Sequence, residues 1–209
     1  MSRYCLKCGK AKKACICSWI KTINTNIELI ILQHPTEVNR AKGTAKILSL
    51  SLANSHCFVG EDFSQHNELN NLLAENQAST FVLFPSEHSE IVSPKLTENR
   101  RLDNKIRIIL LDGTWKKAFK VYQLSENLHA LPCLRLPQSM NGNYKIRKAP
   151  KKNSLSTVEA GYQALKILQP DHDFEPLIVA FNAMVEFYIQ QLPEGVYQQN
   201  YTCDDSPLS

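Results

Sequence analysis

The fold is decided by the stretch 106–115, which reads IRIILLDGTW. Its first six residues are mostly aliphatic, which predicts a buried strand. Asp112 follows directly, at the strand end where open α/β sheets bind their ligands. Gly113 should let the backbone turn, Thr114 can cap the next helix, and Trp115 offers a flat face for a nucleobase. The same residues would also suit a plain helix cap with Trp115 in the core, and the sequence leaves both interpretations open.

Strands and helices alternate on both sides of this stretch. The apolar patterns predict further strands at 27–32, 58–59 and 80–84, and helices at 40–53, 68–74, 115–124, 156–168 and 176–191. Such alternation predicts an α/β fold, a mostly parallel sheet with helices on both faces. The stretch 137–154 has no periodicity and is predicted to be a long loop.

Two other predicted strands also end in polar residues. The first runs into His34-Pro35-Thr36-Glu37 and the third into Pro85-Ser86-Glu87. If the strands are parallel, these ends and Asp112 face one crevice. His34 could orient a substrate, act as a base, or simply form a turn. Glu37 suits the first turn of the next helix, and Arg40 could bind an anion or pair with Glu37.

The helix predicted at 156–168 begins with a capping-box pattern, Ser156 followed by Glu159. A capped helix N-terminus preceded by a basic loop could also bind a carboxylate or phosphate. The basic residues of that loop could hold RNA or only face solvent; they are Lys145, Arg147, Lys148, Lys151 and Lys152.

The N-terminus carries four cysteines, Cys5, Cys8, Cys15 and Cys17, spaced C-x2-C-x6-C-x-C. Four thiolates at ~2.3 Å can enclose a tetrahedral zinc ion. Three further cysteines lie apart and are interpreted as buried or incidental thiols.

Charge and composition narrow the classes of partner. The net charge is only +4, but residues 1–22 carry six basic residues and no acid, and 100–107 and 145–152 are also basic. Clustered basic residues favour a polyanion such as nucleic acid. No apolar run approaches the length of a membrane span, and the N-terminus does not resemble a signal peptide. We therefore expect no membrane partner and a cytoplasmic location, where cysteines stay reduced.

The motifs together resemble the DTW-domain family, from Cys5 to about Tyr188. The resemblance rests on the 112–115 motif, on His34-Pro35 with Glu37 and Arg40, on 156–160, and on the four cysteines. Within the family, the chain is most similar to the bacterial tRNA-uridine aminocarboxypropyltransferases.

The resemblance implies a reaction and a fold. The 3-amino-3-carboxypropyl group of S-adenosylmethionine would pass to N3 of a uridine in the tRNA variable loop, leaving methylthioadenosine. It implies a zinc-binding knuckle at 1–22, a catalytic domain at 23–192 with a SPOUT-like knotted C-terminal region, and a tail at 193–209.

The resemblance also implies roles for individual residues. Asp112 would be the catalytic residue, as general base or as the group that orients the uracil N3–H. Three loops, at about 84–88, 111–115 and 137–157, would hold the cofactor; their residues are Phe84, Pro85, Ser86, Leu111, Gly113, Thr114, Trp115, Ser156, Thr157 and Glu159. Arg40 and the 145–152 basic residues would hold tRNA, and the zinc knuckle would support that surface.

Two alternatives remain from the sequence. One is a SPOUT-like RNA methyltransferase, with the same cofactor and fold. The other is a non-catalytic zinc-knuckle RNA-binding protein. The sequence does not decide between a monomer and a dimer.

Overall fold

A computed structural model describes residues 2–75, 78–98, 105–137 and 155–193. Within these residues one sheet has six strands: β1 Ile27–Gln33, β2 Ser55–Val59, β3 Ala78–Leu83, β4 Glu90–Ile91, β5 Lys105–Asp112 and β6 Cys133–Arg135. Their spatial order is β2-β1-β5-β3-β6-β4, and every pairing is parallel. The predicted parallel sheet is therefore confirmed, and β5, the strand of the 106–115 stretch, lies inside it.

Helices lie in most of the connections between the strands; β3 and β4 are joined by a loop. The α-helices are α1 Ala45–Ser51, α2 Asn67–Ala74, α3 Lys95–Glu98, α4 Trp115–Leu124, α5 Thr157–Leu168 and α6 Glu175–Gln190. Short 3-10 helices occupy Lys12–Ala14, Cys17–Trp19, Pro35–Glu37 and Glu126–Leu128. No helix in the described ranges is both long and apolar enough to cross a bilayer.

Side chains alternate between the two faces of the central strands, as the pleat of a strand requires. On one face, Ile108 and Leu110 join a cluster that includes residues of α1, α5 and α6. On the other, Ile109 joins a second cluster with Leu69 of α2 and Val121 of α4. Helices thus cover both faces of the sheet.

The first residue of the helix predicted at 40–53 is wrong, because the helix begins later in the chain. Residues 35–37 form a separate 3-10 turn, and the α-helix begins only at Ala45. The Gly43 amide closes a turn on the Arg40 carbonyl at 2.9 Å, while Lys10 donates to the carbonyls of Ala41 and Gly43 at 2.6 and 3.1 Å. These carbonyls are therefore satisfied outside a helix, and Arg40 lies in a loop.

The prediction that the basic residues of 100–107 meet a polyanion is wrong for Arg107. Its side chain is 1% exposed, and its Nε lies 2.6 Å from Glu28 Oε2 and its Nη2 2.9 Å from Glu75 Oε2. It also donates to the carbonyl of Leu72. Arg107 is therefore committed to a buried ion-pair network and cannot meet a polyanion.

The cysteine segment packs on the body of the protein. Cys8 and Ile16 are buried in the same cluster as the sheet face that carries Ile108. Trp19 lies against Phe187 of α6, with ring centroids 6.5 Å apart. The domain boundaries at 22/23 and 192/193 stay predictions, as does the long loop, most of which lies outside the described residues.

Candidate functional site

Asp112 ends β5 at the carboxyl edge of the sheet and is 6% exposed. Its register partner on β1 is Gln33, whose Nε2 donates to Asp112 Oδ2 at 2.6 Å. Thr157, the first residue of α5, donates its hydroxyl to Oδ1 at 2.5 Å. The carboxylate is thus held from two sides.

Helix α5 packs closely against the sheet, which brings the Thr157 hydroxyl within hydrogen-bonding distance of Asp112. Gly161 lies one turn after Thr157, and a Cβ there would lie 3.0 Å from Leu48 and 3.2 Å from Leu110. Leu110 precedes Asp112 by two residues on β5, so it points to the same side of the strand. A larger residue at 161 would require either the methyl groups of Leu48 and Leu110 or α5 itself to shift.

Gly113 and Thr114 differ from their predicted roles in the turn. Gly113 has no left-handed φ; a Cβ there would instead lie 3.0 Å from Lys117 Cβ, so the glycine serves a tight approach to α4. Thr114 is the N-cap residue of α4, but its side chain makes no capping hydrogen bond. Its exposed hydroxyl therefore does not serve the helix.

Trp115 does not pack in the core. Its side chain is 59% exposed, and its ring stacks on Phe84 with centroids 5.5 Å apart and planes 15° apart. Phe84 is buried and directly follows β3, the neighbour of β5. The two rings bring the 84–86 and 111–115 loops together at the same sheet edge, as the parallel arrangement predicts.

The other residues of these two loops lie beside the ring pair. Pro85 is exposed and Ser86 half-buried. The amide of Ser86 donates to Ser89 Oγ at 3.2 Å, which closes the loop on itself. Leu111 is half-buried and packs on the cluster that contains Phe84.

The start of α5 is a complete capping box. Ser156 Oγ accepts from the Glu159 amide at 3.4 Å, and Glu159 Oε2 accepts from the Ser156 amide at 2.7 Å. The amide of Val158 donates to Thr44 Oγ1 at 3.3 Å. Because Ser156 and Glu159 are buried and engage each other, the geometry favours a structural role for them over an anion site.

His34 is buried with both ring nitrogens engaged. Its Nδ1 accepts from the Thr36 amide at 3.3 Å, so the proton is on Nε2, which donates to Glu61 Oε1 at 2.7 Å. A hydrogen bond from Lys120 is the main cause that lowers the pKa of Glu61. Among the roles left open for His34, this geometry favours the turn over the general base.

Glu37 and Arg40 lie beside this network. Lys117 Nζ contacts Glu37 Oε1 at 2.7 Å and Thr36 Oγ1 at 2.6 Å. Arg40 Nε lies 3.8 Å from Glu37 Oε2, and the Arg40 side chain stays 61% exposed. Arg40 can therefore still reach an anion. The five basic residues predicted between 145 and 152 lie outside the described residues.

The four N-terminal cysteines converge. Their Sγ atoms all lie within 4.8 Å of one another, with Cys5–Cys17 at 3.7 Å and Cys8–Cys15 at 3.8 Å. Four sulfurs at ~2.3 Å from a tetrahedral ion would be about 3.8 Å apart. Gly9 follows the first pair with a φ of 71°, a conformation that favours glycine. The residues present therefore fit zinc.

The environment of the sulfurs also suits a cation. Hydrogen bonds from the backbone of Cys8 and Lys7 lower the pKa of Cys5 to about 6. Burial, followed by the neighbouring thiols, raises the pKa of Cys17 to about 12. Without an ion, the four sulfurs cannot all be thiolates, and a divalent cation would supply the missing charge.

Lys10 connects the cysteine segment to the loop before α1. It is 8% exposed, and burial lowers its pKa. Its two acceptors are the Ala41 and Gly43 carbonyls described above, and Tyr188 of α6 also donates to the Ala41 carbonyl at 2.8 Å. Since Thr44 follows directly and accepts from Val158, this loop joins the cysteine segment to the start of α5.

Sequence reasoning missed three side chains of the carboxyl edge: Gln33, Glu61 and Lys117. Gln33 is the last residue of β1, and a polar residue closing a buried strand was the available signal. Glu61 and Lys117 reach His34 and Glu37 from segments far away in sequence, so no local pattern could indicate them.

The fold and the site define an α/β protein with a candidate ligand site at the carboxyl edge of a parallel sheet, joined to a four-cysteine segment suited to zinc. A family model described as the DTW domain matches residues 2–189. The chain belongs to the DTW-domain family.

Relatives of the chain are found in animals and a plant. A mouse tRNA-uridine aminocarboxypropyltransferase 2 is 27% identical over 194 residues, covering 89% of the chain and 63% of the relative. The Drosophila melanogaster protein of the same name is 31% identical over 183 residues, covering 83% and 70%. The Arabidopsis thaliana tRNA-uridine aminocarboxypropyltransferase A is 28% identical over 215 residues, covering 90% and 81%. These relatives are eukaryotic, whereas the sequence resemblance pointed to bacterial members.

Proposed function

We propose that the chain transfers the 3-amino-3-carboxypropyl group of S-adenosylmethionine to N3 of a uridine in the tRNA variable loop. The observation that carries the proposal is the Asp112 carboxylate, held by Gln33 and Thr157 at the ligand-binding edge of a DTW domain. The names of the relatives support the reaction. Because the chain spans only 63% of the length of the mouse and macaque relatives, activity, substrate and partner are proposals for this chain.

The reaction needs a base and accurate positioning. The donor supplies a carbon activated by a sulfonium: its bond to sulfur breaks, a bond to uracil N3 forms, and methylthioadenosine leaves. The N3 proton must go to a base. Asp112 can accept that proton, or it can orient the N3–H towards another acceptor. Gln33 and Thr157 hold the carboxylate in one orientation, and such positioning can lower a barrier by several kcal/mol.

The donor would be held by the loops at the carboxyl edge. The exposed Trp115 ring on Phe84 suits an adenine, with Pro85, Ser86, Leu111, Gly113 and Thr114 around it. Thr157 lies at the same edge, where its hydroxyl donates to Asp112. Asp112 itself could instead bind the ammonium of the donor. We propose that the region from 137 to 157 completes the site in a SPOUT-like knotted arrangement.

The tRNA would meet a basic surface next to this edge. Arg40 is exposed there, and the basic residues of 145–152 follow β6 in the chain. The four cysteines would hold zinc and keep the basic N-terminal segment in place beside the loop that carries Arg40. A thiolate-bound zinc site of this kind fits a reducing, cytoplasmic location.

The experiment is mass spectrometry of tRNA nucleosides after incubation with the protein and S-adenosylmethionine. An aminocarboxypropyl-uridine product is expected. A methylated nucleoside would indicate the methyltransferase instead. A rise of the melting temperature with the donor would rule against the non-catalytic zinc-knuckle RNA-binding protein, since a ligand of the native state must stabilise it. If there is no product and no rise, the proposed transfer is wrong.

A further inference from the structure

The outer face of α4 carries large aromatic side chains in contact with solvent. Trp115 is 59% exposed and Phe119, one turn later, is 51% exposed. Both rings adjoin Phe84, at centroid distances of 5.5 and 6.4 Å. Exposed aromatic rings side by side are uncommon on a protein surface and indicate a binding surface.

The charge of the helix indicates what could bind there. α4 contains three lysines, Lys116, Lys117 and Lys120, and no acidic residue. Lys117 and Lys120 are paired with Glu37 and Glu61. Lys116 is exposed and forms no salt bridge with any residue that the structure describes. At 3.6 residues per turn, it lies on the exposed side of the helix, beside Phe119.

We propose that this surface, the α4 aromatic face of Trp115, Lys116 and Phe119, stacks an unpaired base of single-stranded RNA on Phe119 and binds its phosphate through Lys116, while Trp115 serves the adenine of the donor. A flat ring next to a free ammonium group suits a nucleotide, because bases stack on aromatic side chains and lysine neutralises the backbone. The positive charge of Lys116 is complementary to a phosphate, and this charge beside the Phe119 ring favours RNA as the occupant.

The α4 aromatic face lies close to the proposed active site. Trp115 begins α4 three residues after Asp112, so a base stacked on Phe119 would lie close to the carboxyl edge. A uridine inside a folded tRNA must unstack from the adjacent bases before it can reach the Asp112 carboxylate at the edge of the sheet. The α4 aromatic face would receive the adjacent base. That role rests on the proposed function, whereas the stacking itself does not.

The test measures binding of a labelled single-stranded oligouridylate by fluorescence anisotropy, with an RNA duplex of equal length as comparison. Phe119→Ala should weaken single-strand binding roughly tenfold and leave duplex binding unchanged. Phe119→Leu keeps an apolar side chain but has no ring, so it should weaken binding nearly as much. Val179→Ala removes an equally exposed apolar residue on α6 and should change nothing. Lys116→Ala should lower the salt dependence of binding by roughly one unit of slope.

The outcomes separate the two proposals. If Phe119→Leu binds like the unmodified protein, or Phe119→Ala weakens single strand and duplex equally, the stacking proposal is wrong. If these variants behave as expected but the unmodified protein gives no aminocarboxypropyl product, the surface stands and the proposed function fails. If product forms and Phe119→Ala still binds single-stranded RNA normally, the function stands and the surface fails.

Discussion

The carboxyl edge of the sheet and the cysteine segment are held in place in different ways. Asp112 owes its position to the β1–β5 register and to the close packing of α5 at Gly161. Cys5, Cys15 and Cys17 are only partly buried in a segment with no helix longer than a 3-10 turn. The first site is preformed by the core, and the second should depend on the zinc ion that we propose for it. We therefore expect substitutions at the carboxyl edge to reduce turnover, and changes in the cysteine segment to reduce its local stability.

Replacing Asp112 by Asn should give the largest effect. The amide keeps the size of the side chain but cannot take a proton, so turnover on tRNA should fall by on the order of 10²–10⁴-fold. Single-turnover kinetics would measure the loss. Circular dichroism should show an unchanged fold, and full activity of Asp112→Asn would contradict the assignment of the site.

Thr157→Val should have a smaller effect at the same site. It removes the hydroxyl that donates to Asp112 without changing the volume of the side chain. Hydrogen bonds to charged groups contribute about 1.5–3 kcal/mol, so turnover should fall roughly ten- to a hundredfold. Thr157→Ser retains the hydroxyl and is the matched control. Equal activity of the Val and Ser variants would mean that the contact does not position Asp112.

Removing the proposed zinc ion should affect the cysteine segment. Chelation or Cys8→Ser should speed amide exchange in residues 2–22 roughly tenfold or more, while β1 and β5 keep their protection. Acid should have the same effect, because thiolates lose the metal when they are protonated. Exchange mass spectrometry would follow both. Global unfolding on chelation would show that the sheet also depends on the ion.

Lys10→Met should have the smallest effect and tests the link between the regions. The substitution keeps the aliphatic stem but leaves the Ala41 carbonyl with Tyr188 alone and removes one donor from Gly43. The expected loss is about 1–3 kcal/mol of unfolding free energy, measured by urea denaturation. Lys12→Met, on a neighbouring exposed lysine, is the control. No difference between the two variants would mean that the link contributes nothing to stability.

The sequence predicted what local patterns determine. The apolar run of β5, the amphipathic span of α4 and the cysteine spacing all lie within short windows, and the structure confirms the first two and shows the cysteines converging. β4 and β6 were missed because two or three residues have no measurable period.

Contacts between distant segments were not predictable. The Gln33–Asp112 pair depends on strand register, and Thr157 reaches Asp112 across 45 residues of chain. Arg107 was interpreted as a surface cation because its partners, Glu28 and Glu75, come from other elements. Long-range partners decide which charges are buried, and a single sequence does not indicate them.

Asp112 and the carboxyl edge around it are proposed to carry out aminocarboxypropyl transfer to a tRNA uridine. The most direct test supplies S-adenosylmethionine with heavy isotope in either its methyl carbon or its aminocarboxypropyl carbons, followed by mass spectrometry of the tRNA nucleosides. Only the aminocarboxypropyl label should appear in a uridine, and Asp112→Asn should abolish most of it. Transfer of the methyl label, or undiminished transfer by Asp112→Asn, would contradict the account.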